Sequence, residues 1–371
     1  MKKIELKDCI ENIELLGRTY QSGDEGLFLN WSCSGIRFLW KGTSLAIKTR
    51  GISSKEQELN TFTAQYEERE TSPWFAIFLD DEQEPYQYFE AKKGEHLYGI
   101  YSCEKIEIHT ITIRKITENA KGKICLKEFL TDGEIKKNEV RKEKIFLEFI
   151  GDSITCGFGN MVKDGQRLFY SEDENGWMAH PAVAARILNA EFSVISCSGI
   201  AITEGIGAFE YPLPPMKHYY PYCDRMVEEL DGTKKDPLFW DFKNHIPDVI
   251  ILNLGTNDAT VIDLNEDTEN GIAKFEEDYY DFLCMIRHYN GVTPWIICAL
   301  GSMDYFLYDN IQKVVKRFCQ TNQDSKIRCF KYGRMRVQEG SGACNHPYVT
   351  TQIRMGEELA SYIQKEILVK G

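Results

Sequence analysis

From about residue 15 to residue 130, apolar positions come in short runs that alternate with polar ones. LFLNWSC, IRFLWKG, SLAIKTRG, WFAIFLD, YQYFEA, HLYGIYSC, IEIHTITIRKI and ICLKEFLT are of strand length. They are rich in Ile, Tyr, Phe, Trp and Thr and are separated by turn residues, the pattern of half-buried strands. About eight such strands with no convincing helix predict an all-β domain, a β-sandwich or jelly roll. The stretch from Thr131 to Lys144 (TDGEIKKNEVRKEK) is polar and heavily charged. It reads as a linker or exposed hairpin, which divides the chain into a β-sandwich domain (1–135), a linker (136–144) and a second domain (145–371).

The rhythm then changes. IFLEFIG, FSVISCSG, DVIILNLG, PWIICALG and KIRCFKY are continuous apolar runs, the signature of strands buried on both faces. Between and after them lie helical patterns: AHPAVAARILNA, FEEDYYDFLCMIRHY, IQKVVKRFCQ and TTQIRMGEELASYIQKEIL. Strands alternating with helices predict an α/β three-layer sandwich around a parallel five-stranded sheet. The acidic tract DLNEDTE, Asp263 to Glu269, reads as a solvated loop.

Composition narrows the function. The 371 residues are 43% hydrophobic and 27% charged, ordinary globular usage that excludes a disordered or collagenous chain. With 44 Lys and Arg against 57 Asp and Glu, the formal charge is −13, which disfavours nucleic acid and membrane surfaces as partners. No run reaches the ~20 apolar residues of a membrane span, and the N-terminus lacks the apolar core of a signal peptide. The twelve cysteines are scattered without a CxxC pair, which points to free thiols and a cytoplasmic location.

In an open α/β sheet, ligands sit beyond the carboxyl ends of the strands. The residues found there are Gly151-Asp152-Ser153-Ile154-Thr155-Cys156-Gly157-Phe158-Gly159-Asn160, then Ser198-Gly199-Ile200, then Gly255-Thr256-Asn257-Asp258. Before the last helix comes Ala343-Cys344-Asn345-His346-Pro347. These residue types suit acyl transfer. A Ser in a Gly-rich strand-to-helix turn presents both its Oγ and its backbone N–H at the sheet edge. The N–H of Gly199 and the side-chain amide of Asn257 supply two further donors. Three donors around one point make an oxyanion hole, where one donor is worth roughly 3–4 kcal/mol to a tetrahedral intermediate. His346 is then the base that takes the Ser153 proton and returns it to the leaving group.

GDSITCGFGN, SCSGI, LNLGTND and NHP, in this order, resemble the four blocks of the SGNH (GDSL-type) hydrolases. GRTYQ, LFLNWSCSGIRFLWKGTSLAI and HTITIRKITENAKG resemble the N-terminal jelly roll of carbohydrate esterase family 2, whose members join that domain to an SGNH domain. The resemblance implies removal of acetyl groups from xylan- and mannan-type saccharides, with no metal or organic cofactor. It makes Ser153 the nucleophile, Gly199 and Asn257 oxyanion donors with the Ser153 amide, and His346 the base. The departure is the third triad member. SGNH enzymes commonly place an Asp two or three residues before the His, where this chain has Cys344 and Ala343. A Ser–His dyad follows, with a main-chain carbonyl near Ala343–Asn345 orienting His346.

Asp152 and Asp258 read as structural, and Cys156 as a thiol without the motif position of a nucleophile. His180 and His245 read as structural or exposed, and Trp295 as core. The aromatic, proline-rich segment PLPPMKHYYPYCD is the expected substrate wall, with Tyr219 and Tyr220 stacking on a sugar face and Trp177 lining the cleft. Two rival readings remain open. One is an SGNH lipase or thioesterase acting on other acyl esters. The other is a sugar-binding protein that has lost catalysis, its warrant being the missing Asp. Oligomeric state is not readable from the chain.

Overall fold

The structure, a computed structural model, describes the whole chain except residues 23–24, 61–64, 81, 138–143, 167, 206–212, 225–237, 266 and 370–371. Most of the expected linker 136–144 therefore lies outside the described residues, as does residue 212 of the expected substrate wall. The chain forms two compact units. The first comprises Met1–Lys144 together with two later stretches, Tyr170–Glu172 and Cys223–Pro237; the second holds the remainder.

The first unit is β-rich. Its strands pair antiparallel in an eleven-stranded sheet. Ile36, Phe38 and Trp40 share one face of their strand and fill the core with Ile47, Phe75, Ile77, Ile113 and Phe129. Two expected strand pairs turn out to be single long strands. IRFLWKG and SLAIKTRG both lie in Gly35–Asn60, and HLYGIYSC and IEIHTITIRKI both lie in Gly94–Lys115. The turn-like residues between them do not reverse the chain. They sit where the register of this pair shifts, between Gly42 and Ser44 and again between Leu45 and Ala46. Such bulges bend a strand without ending it. The later stretch is fastened here by buried polar contacts: Trp31 Nε1–H donates to the Cys223 carbonyl at 2.6 Å, and Lys123 Nζ donates to Asp224 Oδ2 at 2.9 Å.

The second unit contains five parallel strands. In chain order they are Phe146–Gly151, Glu191–Ser196, Val249–Asn253, Trp295–Leu300 and Ile327–Lys331. In space the second strand lies outside the first, and the third, fourth and fifth follow on its other side. The third strand, VIILN, is buried at every position, as its unbroken apolar run requires. Helix His180–Ile187 packs on Val349–Ile363, and Thr268–Asn290 on Tyr308–Asn322. Asp263 to Glu269, expected as a solvated loop, instead spans the end of helix Thr256–Leu264 and the start of Thr268–Asn290. There Asp267 acts as an N-cap, accepting the Asn270 N–H at 3.1 Å.

The strand order reverses between the first and third strands. In a sheet of this order the ligand crevice opens at that switch point, beyond the carboxyl ends. Ser153 follows the first strand and Asn257 the third.

Candidate active site

The first strand ends at Gly151 and passes directly into a one-turn helix, Ser153–Cys156. Asp152 caps it, its carboxylate accepting the Ile154 N–H at 3.0 Å. The turn closes through Gly157 in the left-handed region (φ 88°), a conformation that costs a glycine little. The N–H groups of Gly157 and Phe158 both donate to the Ser153 carbonyl, at 3.2 and 3.1 Å. Ser153 is thus held at both ends of a rigid turn.

His346 reaches it from a separate loop. Its Nε2 lies 3.0 Å from Ser153 Oγ, and its Nδ1 lies 3.1 Å from the Cys344 carbonyl oxygen. That carbonyl can only accept, so Nδ1 carries the proton and donates. Nε2 then presents its lone pair to the Ser153 hydroxyl. Cys344 (φ 49°) and Asn345 (φ 58°) are both left-handed, which turns the Cys344 carbonyl back toward the imidazole. Two consecutive non-glycine residues in this region are uncommon and need external support. The support comes from the loop after the nucleophile: Ala343 N–H donates to the Gly159 carbonyl at 3.1 Å, Asn345 N–H to Gly165 at 3.2 Å, and Val349 N–H to Asn160 at 3.0 Å. The close docking explains the second glycine of GFG. A Cβ on Gly159 would stand 2.5 Å from the Ala343 Cβ, and its φ is +56°.

Burial pushes His346 down to about 4, against the pull of the Cys344 and Ala343 carbonyls. The imidazole is therefore neutral at physiological pH and able to act as a base. Burial also raises Asp152, to about 7, only partly offset by its Ile154 bond. Asp258 is raised for the same reason. Asp258 accepts the N–H groups of Ile202 and Thr203 at 3.1 and 2.9 Å and the Thr203 hydroxyl at 2.8 Å, a structural task.

Gly199 lies in the loop after the second strand, with φ 80°. That loop begins beside the nucleophile strand, where Cys197 N–H donates to the Gly151 carbonyl at 3.4 Å. Asn257 sits in the first turn of helix Thr256–Leu264 and donates one amide hydrogen to the Ile200 carbonyl at 2.8 Å. That bond orients the amide and leaves its second N–H for another acceptor.

The two tyrosines expected to face a sugar are buried. Tyr219 and Tyr220 are 1% and 0% exposed, so neither offers a face to a ligand. Tyr220 Oη donates to Glu148 Oε1 at 2.8 Å and accepts from Asn290 Nδ2 at 2.8 Å. Buried polar partners thus satisfy the Tyr220 hydroxyl. Trp177 is 9% exposed, with the Arg186 guanidinium 4.4 Å over its ring, and it packs near Phe192. His180 is buried; its backbone N–H donates to Gln352 Oε1 at 2.9 Å, and Gln352 Nε2 donates to the Ile154 carbonyl at 2.9 Å. Cys156 is buried, with Sγ 3.2 Å from Ser196 Oγ.

Sequence reasoning missed Phe158 and Gln352. Phe158 stacks on the His346 imidazole, centroids 4.1 Å apart and planes at 30°. Its position inside the nucleophile block was the available signal. Gln352, on helix Val349–Ile363, carried none.

Residues 15–137 match the family described as carbohydrate esterase 2 N-terminal. Over 359 residues, 95% of its length, the chain is 30% identical to the cellulase/esterase CelE of Acetivibrio thermocellus, and it spans 39% of that protein. It is 26% identical over 215 residues to an acetylxylan esterase / glucomannan deacetylase of Cellvibrio japonicus, covering 56% of each. The chain thus spans less than two thirds of these curated relatives. Among solved structures it is similar to a family two carbohydrate esterase from Clostridium thermocellum in complex with cellohexaose. The TM-score is 0.79 at 25% identity, over 96% of this chain and 99% of that one.

Proposed function

We propose that this chain, which belongs to carbohydrate esterase family 2, is a carbohydrate O-acetyl esterase working through a Ser153–His346 dyad. The observation that carries the reading is the pair of bonds on His346: Nε2 at 3.0 Å from Ser153 Oγ, Nδ1 at 3.1 Å from a main-chain carbonyl. Ser153 Oγ attacks the acetyl carbonyl carbon while its proton passes to His346 Nε2. The Ser153 and Gly199 N–H groups and the free amide hydrogen of Asn257 receive the oxyanion. The intermediate collapses, the C–O bond to the sugar breaks, and the imidazolium protonates the departing sugar oxygen. A water then repeats the sequence on the acetyl-enzyme, delivering its proton to His346 and releasing acetate.

The carbonyl at Nδ1 enforces the useful tautomer, although it brings no negative charge to the imidazolium. Where an amide replaced the acid of a serine protease triad, the rate fell about 10⁴-fold, mainly through the wrong tautomer. A carbonyl avoids that error. The names of the relatives support acetylated xylan- and mannan-type oligosaccharides as substrates. Twelve free cysteines support a reducing, cytoplasmic setting. No helix among the described residues is long and apolar enough to cross a membrane.

The test is acetate release, resolved by position by NMR, from acetylated xylo- and manno-oligosaccharides, with Ser153→Ala as control. The expected result is acetate from the wild type alone. Negligible acetate with brisk hydrolysis of long-chain p-nitrophenyl esters would overturn the substrate assignment. Oligosaccharide binding unaccompanied by any hydrolysis would make the protein a binder.

A further inference from the structure

Among the described residues no carboxylate bonds His346, and its two ring bonds, to the Cys344 carbonyl and the Ser153 hydroxyl, leave the ring free to rock about the Nδ1–Nε2 direction. The ring plane is nonetheless constrained. Phe158 lies against it, with centroids 4.1 Å apart and an interplanar angle of 30°. Phe169 backs Phe158 from a centroid distance of 3.7 Å at 36°. Phe169 is buried and Phe158 half-buried, so the second ring has little room to swing away.

The backbone of Phe158 is as closely tied as its ring. Its N–H donates to the carbonyl of Ser153 itself at 3.1 Å. The next residue, Gly159, accepts the Ala343 N–H at 3.1 Å, three residues before His346. Phe158 therefore touches the segments of both nucleophile and base.

We propose that Phe158 is a positioning residue for the base: its ring, clamped between Phe169 and the imidazole and tethered through its backbone to Ser153, holds His346 in its attacking orientation and keeps one face of it dry. The inference rests on the esterase reading above. It assigns to an aromatic face the orienting task that a triad carboxylate performs elsewhere.

Among the described residues, the charged groups on the elements packed around the imidazole are engaged away from it. Lys163 lies 5.7 Å over the Tyr348 ring, and Asp164 accepts the Gln166 N–H at 3.0 Å. Glu339 is held by Arg354 at 2.7 Å and Thr351 at 2.7 Å. Asp152 and Asp258 are occupied by backbone donors. The low affinity of His346 for its proton accordingly has burial as its leading cause, with no charged neighbour among the described residues contributing. Removing the ring that supplies part of that burial restores water to the imidazole and raises its proton affinity.

The test combines kinetics with imidazole NMR on the full chain. The variants are Phe158→Ala, Phe158→Leu and Phe158→Tyr, with the His346 signal identified by its loss in His346→Gln. For Phe158→Ala, kcat is expected to fall about 10- to 100-fold with KM little changed, the scale of a small misplacement of a reacting group. The acidic limb of the kcat profile and the His346 titration should both move up by about one pH unit or more. Phe158→Leu keeps apolar volume without a flat face. It should lose kcat while its His346 titration stays near wild type, and it serves if the alanine variant does not fold. Phe158→Tyr keeps the stack and should remain within about threefold of wild type. Wild-type kcat and an unmoved His346 titration in both Ala and Leu variants would overturn the inference, whatever happens to their melting temperature. Absence of acetate release from the wild type would count against the esterase reading, while the NMR titration would still decide whether Phe158 sets the state of His346.

Discussion

Two histidines, one in each unit, show how differently the same side chain can be used. His109, on the long strand Gly94–Lys115, sits between two carboxylates, with Nδ1 2.6 Å from Asp80 Oδ2 and Nε2 3.0 Å from Glu107 Oε2. Burial opposes its charge, but the hydrogen bonds to Glu107 and Asp80 outweigh it and raise its proton affinity. His346 meets a carbonyl, a hydroxyl and a phenyl face, and burial lowers its proton affinity to about 4. A histidine with both ring nitrogens engaged by carboxylates has no lone pair to offer as a base. A histidine kept neutral has a vacant lone pair. The difference lies in what surrounds the ring.

The contrast is tested most severely by removing each ring. His346→Gln should reduce acetate release by about 10⁴-fold or more, as when one member of a catalytic unit is lost. His109→Gln should leave kcat and KM at wild-type values. A comparable loss of turnover in both variants would end the distinction.

A smaller effect is expected where the base loop docks. Gly159→Ala places a Cβ 2.5 Å from the Ala343 Cβ at a φ of +56°. A residue forced into such a conformation costs about 1–3 kcal/mol. If the loop yields, kcat should drop about tenfold or more, as for a misplaced reacting group. Wild-type kcat and wild-type urea stability together would show that the docking is slack. Gln352→Leu should likewise cost about 1–3 kcal/mol, because it strips partners from the buried His180 N–H and the Ile154 carbonyl. Urea denaturation of the variant measures this directly.

The smallest effect is the dependence of stability on pH, and there the two histidines pull in opposite directions. The folded-state affinity of His109 for its proton is raised, so its contribution is fully present below the unfolded value near 6.5. It is lost as pH rises through the higher folded value. For His346 the folded value, about 4, is below the unfolded one. The unfolded chain then binds the proton better, and stability falls as pH drops from about 6.5 toward 4. His180, also lowered to about 4 by burial, acts in the same sense as His346. Urea unfolding of His109→Gln should therefore match wild type at alkaline pH and fall short of it near pH 6, by about 1 kcal/mol or less for an ion pair near the surface. A deficit that grows with rising pH would reverse the assignment.

The alternation of apolar runs was sufficient to divide the molecule into a β-rich part and a parallel α/β part, because burial on one face or two imposes its own period on any chain. The position of Ser153 just past an apolar strand, and of His346 before the last helix, was equally local information. The same local view misjudged the exposure of Tyr219 and Tyr220. Aromatic residues in a polar, proline-rich context look exposed until the packing that buries them is known. Which ring lies against the imidazole and which glycine must yield space to Ala343 depend on contacts between Phe158 or Gly159 and residues nearly two hundred positions away. Such contacts leave no periodic trace in a single chain, since they arise only when folding brings the two loops within a few ångströms of one another.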